Sequence, residues 1–396
     1  MNLRAALARV TSSGRYIAEI DGLRFVAIAA VVIFHLAWMV LPPDVDRRAV
    51  LANDPVGWVL LQGFIGVQLF FVISGFVLAL PFAEARLRGA VPVGLRAYYL
   101  RRLTRLEPPY VLSLLLLFAL RVAQDPSAAA ALLPHLAASL AYVHTAVYDA
   151  PSTVNSVAWS LEVEVQFYLL MPLFAALFSV RAPRLRRALL VALIVAACAA
   201  QAAAGEVSYR LSHSLLFQIQ YFLAGFLLAD WYLLAPRAAA RSWRWDLITA
   251  AAFVAIVPLM QAGALGHVLL PFAMCLAYVG AFRGRAANRL LTRPWLTAVG
   301  GMCYTIYLYH LNILGNALKL TNPLTAGAPL WLQVPAQALL TLPALLLLST
   351  LLFVAVEKPC MRRDWPTALL AWLRRRRGAA LRFPLSHGGE PREGAR

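Results

Sequence analysis

Ten stretches of about 20 mostly apolar residues recur along the chain, and this constrains its fold more than any other feature. A helix crossing the hydrocarbon core of a bilayer needs about 20 such residues, and only helices or closed barrels can satisfy their backbone groups there. The stretches cover roughly 21–41, 57–80, 106–124, 157–179, 187–204, 211–234, 246–263, 266–283, 297–318 and 331–356. Composition points the same way. The 396 residues are 61% hydrophobic and 14% charged, with a mean hydropathy of +0.70. A soluble domain carries about a quarter charged residues, so soluble, fibrous and disordered classes are excluded. The expectation is an all-α polytopic membrane protein of about ten transmembrane helices. The segment 130–148 is apolar but short and contains Pro134 and His135. It reads as an interfacial or re-entrant piece.

Orientation follows from the basic residues. Lys and Arg number 36 against 18 Asp and Glu. If the N-terminus lies inside, 30 basic residues fall in the N-terminal arm, the even-numbered loops and the tail, and five in the outer loops. That bias obeys the positive-inside rule and places both termini in the cytoplasm. Counting 130–148 as a crossing would carry Arg181, Arg184, Arg186 and Arg187 outside. Because the charge is spread over every inner loop, it is not a nucleic-acid footprint. The run Arg374–Arg377 is a cytoplasmic anchor or touches anionic lipid heads. The chain divides into a basic arm (1–18), a transmembrane domain (19–359) and a basic tail (360–396). The first apolar run lacks a cleavage site and carries Asp21, Arg24 and His35, so it reads as a retained span. The four cysteines show no metal or redox spacing, and no metal is expected.

An ionisable side chain inside a span is costly and is by default a functional candidate. Arg24 and His35 are eleven positions apart, which puts them on one helix face about 16 Å apart along the axis. Asp21 precedes Arg24 by three and shares the stripe. A lone histidine would read as a packing residue, but an acid, a cation and an imidazole on one wall suit proton transfer. Ser74-Gly75 in the second run is equally an ordinary close-packing pair. Arg102 and Arg105 are one turn apart and suit phosphate, or are one more positive-inside cluster. Glu162 and Glu164 open the fourth span 200° apart, so one faces inward. Tyr304, Tyr307 and His310 lie inside the ninth.

The succession Ile20-Asp21-Gly22-Leu23-Arg24 with His35, Gly66-Val67, Phe70-Phe71 with Ser74-Gly75-Phe76, and Arg101-Arg102 with Arg105, Pro109 and Tyr110 continues through Trp159-Ser160-Leu161, Glu164 and Phe167-Tyr168. It ends on Tyr304, Tyr307, His310 and Glu357-Lys358-Pro359. In this order the motifs resemble the acyltransferase-3 family of bacterial membrane O-acyltransferases over about residues 18–363. The resemblance implies an enzyme of the inner membrane with acyl-CoA as co-substrate at the cytoplasmic face and no bound cofactor. It implies a carbohydrate hydroxyl as acceptor, on a polysaccharide or glycolipid, and acetyl as the commonest acyl group. Arg24 and His35 would be essential, and Arg102 and Arg105 would belong to the donor site. Two departures stand out. Gln68 occupies a position where many members have an acid, and no fused hydrolase-like domain is expected.

The expected mechanism has Arg102, Arg105 and Arg24 holding phosphates, with Ser74 and Gly75 beside the donor. His35 acts as general base or carries the acyl group itself, with Asp21 and Glu164 supporting. Trp159, Ser160, Tyr304, Tyr307 and His310 bind the acceptor or the oxyanion. A transporter would also carry intramembrane His, Glu and Arg, but paired broken halves are not evident. A lipid-binding scaffold would not need Arg24 and His35 on one stripe.

Overall fold

The computed structural model describes residues 16–235, 240–362 and 364–367. The arm before Tyr16 and the tail run Arg374–Arg377 lie outside the described residues. Among these, no strand occurs, and nine helices are long and apolar enough to cross a membrane. The helices that matter here are α1 (Ala18–Val40), α2 (Gly66–Arg88), α3 (Leu95–Gln124), α4 (Ala129–Leu140), α5 (His144–Tyr148), α6 (Trp159–Phe174) and α7 (Pro183–Ala204). They continue with α8 (Leu215–Leu234), α9 (Trp243–Gln261), α10 (Gly263–Arg283), α11 (Ala286–Leu291), α12 (Pro294–Gly301), α13 (Cys303–Thr321) and α14 (Leu330–Leu352). The protein is an all-α, multi-pass membrane protein.

The expected ninth crossing departs from a plain span. It is two helices, α12 and α13, interrupted at Met302. Tyr304, Thr305, Tyr307, His310, Asn312 and Asn316 make α13 too polar to qualify as an apolar span. Gly300 explains the interruption's position: a Cβ there would overlap the Asp21 carbonyl of α1, so α12 packs backbone to backbone. The piece at 130–148 does not cross. At 1.5 Å per residue, the 12 residues of α4 reach only about 18 Å, and the chain then turns through Tyr142 at φ 57° into α5.

Contacts between loops sort the chain into two ends. At one, Arg88 bonds the Leu233 carbonyl, Arg186 and Arg187 grip Asp230, Ser242 N donates to the Arg283 carbonyl, and Arg241 meets Glu19. At the other, Arg210 N donates to Asp149, Asn322 to the Val40 carbonyl, and Gln261 to Gln62. The loops read as inner thus share one end, and those read as outer share the other. Of the crossing helices, α2, α8 and α10 are the most buried, and α7, α9 and α14 present apolar faces outward. A close crossing joins α2 to α8, where Gly75 and Gly225 face one another and a Cβ on either would enter the partner's backbone.

Prolines stitch the bundle. A proline inside a helix leaves the carbonyl four residues earlier without its N–H, and in hydrocarbon that acceptor must be met by protein. Pro108 frees the Thr104 carbonyl, which takes the Trp365 indole N–H at 2.8 Å. Pro172 frees that of Tyr168, which takes the Tyr98 hydroxyl at 3.3 Å. Pro271 frees that of His267, which takes the Cys198 thiol at 3.4 Å. The first two draw α3 against α6 and the C-terminal segment, and so shape one wall of a cavity.

Candidate active site

That cavity opens to about 1040 Å³ including its mouth and lies among α1, α2, α3, α6 and α13. Arg24, Arg101, Arg102 and Arg105 line it with Ser74, Glu164, Tyr168, Ser160, Tyr304, Tyr307 and Glu357. Four guanidinium groups against two carboxylates make it a place for an anionic ligand. Arg24 and Arg102 have described partners that position them. Asp21, only 2% exposed, holds Arg24 at 2.6 Å one turn away. Arg102 stacks over the Tyr98 ring, 4.4 Å from its centroid. The fixed, planar guanidinium suits bidentate phosphate contact.

The carboxylates have distinct duties. Glu164 accepts the Ser74 hydroxyl at 2.6 Å across the cavity. Glu162, on the opposite side of α6, accepts the Thr145 N–H at 3.0 Å, and its other oxygen is buried without a partner. The 200° offset thus sent Glu164 to the cavity and Glu162 to the α4–α5 segment. Glu357 sits in a π-turn at the end of α14, a feature frequent at functional sites. It accepts the Thr305 N–H at 3.2 Å and the Thr305 hydroxyl at 2.6 Å. This caps the first turn of α13, whose N–H groups the Met302 break exposes.

His35 lies beyond the cavity, not on its lining. Its neighbour is His310 on α13: His310 Nε2 and His35 Nδ1 are 3.1 Å apart. The hydrogen bonds settle the tautomers. His310 Nδ1 is 2.8 Å from the Tyr307 carbonyl, which only accepts, so Nδ1 carries the proton and Nε2 is an acceptor. His35 Nδ1 must then be the donor, shared between His310 and the Val31 carbonyl at 2.9 Å. His35 Nε2 is left with its lone pair, as a general base requires. Tyr307 lines the cavity, and its ring centroid lies 5.8 Å from that of His310. Its hydroxyl is 2.7 Å from that of Ser160, and its ring meets Phe70 edge-on at 6.3 Å.

Several sequence expectations are redistributed. Glu164 bonds Ser74 and not the described ring atoms of His35; it sits one turn further along α6 than Ser160. The described side-chain partner of the imidazole is His310, expected as an acceptor residue. Gly75 packs on α8 and does not line the cavity. Trp159 is edge-on to His213 at 4.5 Å and also lies off the lining. Gln68 Oε1 is buried without a partner. Arg101, Tyr168 and Glu357 also line the cavity. All three lie inside the ordered sequence motifs, so adjacency to Arg102, to Phe167 and to the end of a span is the available signal.

The family is decided by comparison with known sequences. The model of a family described as an acyltransferase domain matches residues 17–356, most of the chain. The protein belongs to this acyltransferase family. This acyltransferase is also similar to the peptidoglycan O-acetyltransferase OatA of Listeria monocytogenes, 28% identical over 186 residues. That match takes in 44% of the chain and 26% of the relative. It is 29% identical over 170 residues to the O-acetyltransferase OatA of Staphylococcus aureus, covering 41% of the chain and 25% of that protein. The acyltransferase thus matches about a quarter of each relative's length. No solved structure matches it at a significant level.

Proposed function

We propose that this acyltransferase moves an acyl group, acetyl in the first instance, from acyl-CoA to a hydroxyl of a carbohydrate at the bacterial inner membrane. The observation that carries this reading is the arginine-lined cavity whose Tyr307 neighbours His310, the partner of a His35 whose Nε2 is free to take a proton. The names of the O-acetyltransferase relatives support acetyl and a cell-wall carbohydrate as the reactants.

In this scheme Arg101, Arg102, Arg105 and Arg24 hold the phosphates of the donor. Its thioester arm runs up the cavity past Ser74 and Glu164 to the Ser160–Tyr307 pair. Parting that pair joins the cavity to His35. The acceptor hydroxyl then gives its proton to His35 Nε2 as its oxygen attacks the thioester carbonyl carbon. The carbon–sulfur bond breaks, and the thiolate leaves and takes up a proton as free CoA. His310 holds the imidazole in the required tautomer, and as His35 becomes cationic its Nδ1 proton strengthens the bond to His310 Nε2 and Val31 O. The Tyr307 and Ser160 hydroxyls are placed to donate to the developing oxyanion.

The test uses the purified full chain with acetyl-CoA and a wall oligosaccharide, counting released thiol. The wild type should release thiol only with both substrates, and the His35→Ala variant should not while remaining folded. Full turnover in that variant would overturn the scheme.

A further inference from the structure

A second charged hollow lies at the arginine-rich end of the bundle and shares no lining residue with the cavity described above. Arg241 reaches it from the turn before α9, Arg285 and Arg289 from α11 and its approach, and Arg293 from the turn before α12. With Asn288 and Thr292 they enclose about 1310 Å³ including the open mouth.

The backbone draws these cations together, and of the four only Arg241 is in a described ion pair, with Glu19 at 3.4 Å. Arg285 donates through Nε to the Arg241 carbonyl at 2.9 Å. Asp246 directs its carboxylate to the Arg285 and Ala287 N–H groups at 3.1 and 2.8 Å, anchoring the start of α11. Glu19 takes the buried Asn288 amide at 2.8 Å and reaches Arg241 only at 3.4 Å. No described carboxylate is in ion-pair contact with the side chains of Arg285, Arg289 or Arg293. A positive-inside bias calls for basic loops but not for their convergence, since like charges in the open would spread apart. Convergence on one hollow is what a bound phosphate group rewards.

The apolar neighbours say which anion. Leu290 lines the hollow, and Trp243 and Trp295 follow Arg241 and Arg293 by two residues; Trp243, Leu290 and Trp295 are 60%, 50% and 55% exposed. Tryptophan and leucine beside a basic pocket at a helix end fit an amphiphile lying at the membrane surface. A free phosphate would gain nothing from those apolar neighbours. We infer that the hollow is a binding site for the phosphate of an anionic phospholipid headgroup, with the acyl chains lying along Leu290 and the two tryptophans.

The test compares the full chain in nanodiscs of phosphatidylcholine alone and of phosphatidylcholine with phosphatidylglycerol. Native mass spectrometry counts retained lipid, and a thermal melt reads its effect. The wild type should retain phosphatidylglycerol and melt higher when it is present. The triple variant Arg285→Gln, Arg289→Gln, Arg293→Gln should bind it about 100-fold more weakly, about fivefold per arginine, and lose the melting rise. A control triple, Arg86→Gln, Arg181→Gln, Arg184→Gln, removes the same charge elsewhere and should behave as wild type. Loss of lipid from both triples to the same degree, or retention by both, overturns the site. A third arm adds adenosine 3′,5′-diphosphate to phosphatidylcholine discs. If it raises the melt as phosphatidylglycerol does, and the first triple abolishes that rise, the site takes a nucleotide phosphate and the lipid assignment falls.

Discussion

At the scale of the residue, the proposed scheme turns on two histidines and four arginines. His35→Ala should cut turnover by about 10²–10⁴-fold, the usual contribution of a general base, with little change in donor KM. His310→Ala should leave His35 in place but free to take the other tautomer. Its signature is a fall in kcat at nearly constant KM, read from thiol release. Arg102→Ala with Arg105→Ala removes charged contacts of about 1.5–3 kcal/mol each. Donor KM should then rise at least about tenfold while acceptor KM holds. An equal rise in both would misplace the donor site. The Arg24–His35 stripe could be read from spacing, because eleven positions bring a helix back to nearly the same azimuth. The partner His310 could not, since it lies 275 positions away and only the packing of α13 on α1 brings it there.

At the scale of the element, helix ends and breaks carry the arrangement. Gly225→Leu would push a side chain into the backbone of α2 and should lower stability by about 1–3 kcal/mol or more. Thermal melting of the detergent-solubilised chain measures it. The α4–α5 segment outside the spans contains a second histidine pair, His135 Nδ1 and His144 Nε2, 2.8 Å apart. Burial, and next the charge of His135, pushes the His144 imidazole below its ordinary value near 6.5. The unfolded segment therefore binds the proton more readily, so stability is full above about pH 6.5 and falls as pH drops below it. Amide exchange over 136–155, corrected for intrinsic rate, should be faster at about pH 5.5 than at about pH 7.5. The difference should shrink in His144→Phe, which keeps the stacking on Tyr148.

At the scale of the whole molecule, the alternation of loop ends is the prediction. In a chain stripped of its four cysteines, single cysteines at 184 and 286 should label from the same side of sealed vesicles. Cysteines at 149 and 325 should label from the opposite side. Labelling of 149 with 184 would mean that 130–148 crosses after all. The molecule has one arginine-lined cavity among α1, α2, α3, α6 and α13, and a second, open hollow lined by Arg241, Arg285, Arg289 and Arg293.

The sequence by itself determined the membrane class, the places of the crossings and the residue types that carry chemistry. Each of these is a local property: a run of apolar residues, a basic loop, a repeat of side chains along one helix. Only the tertiary structure decided which of those residues meet. The rotation of one helix about its axis against its neighbours is set by packing, by Gly75 on Gly225 and by Gly300 on Asp21, and no spacing within a single helix encodes it. That is why Glu164 faces Ser74 instead of His35, why Glu357 returns to cap α13, and why the break at Met302 became visible only in three dimensions.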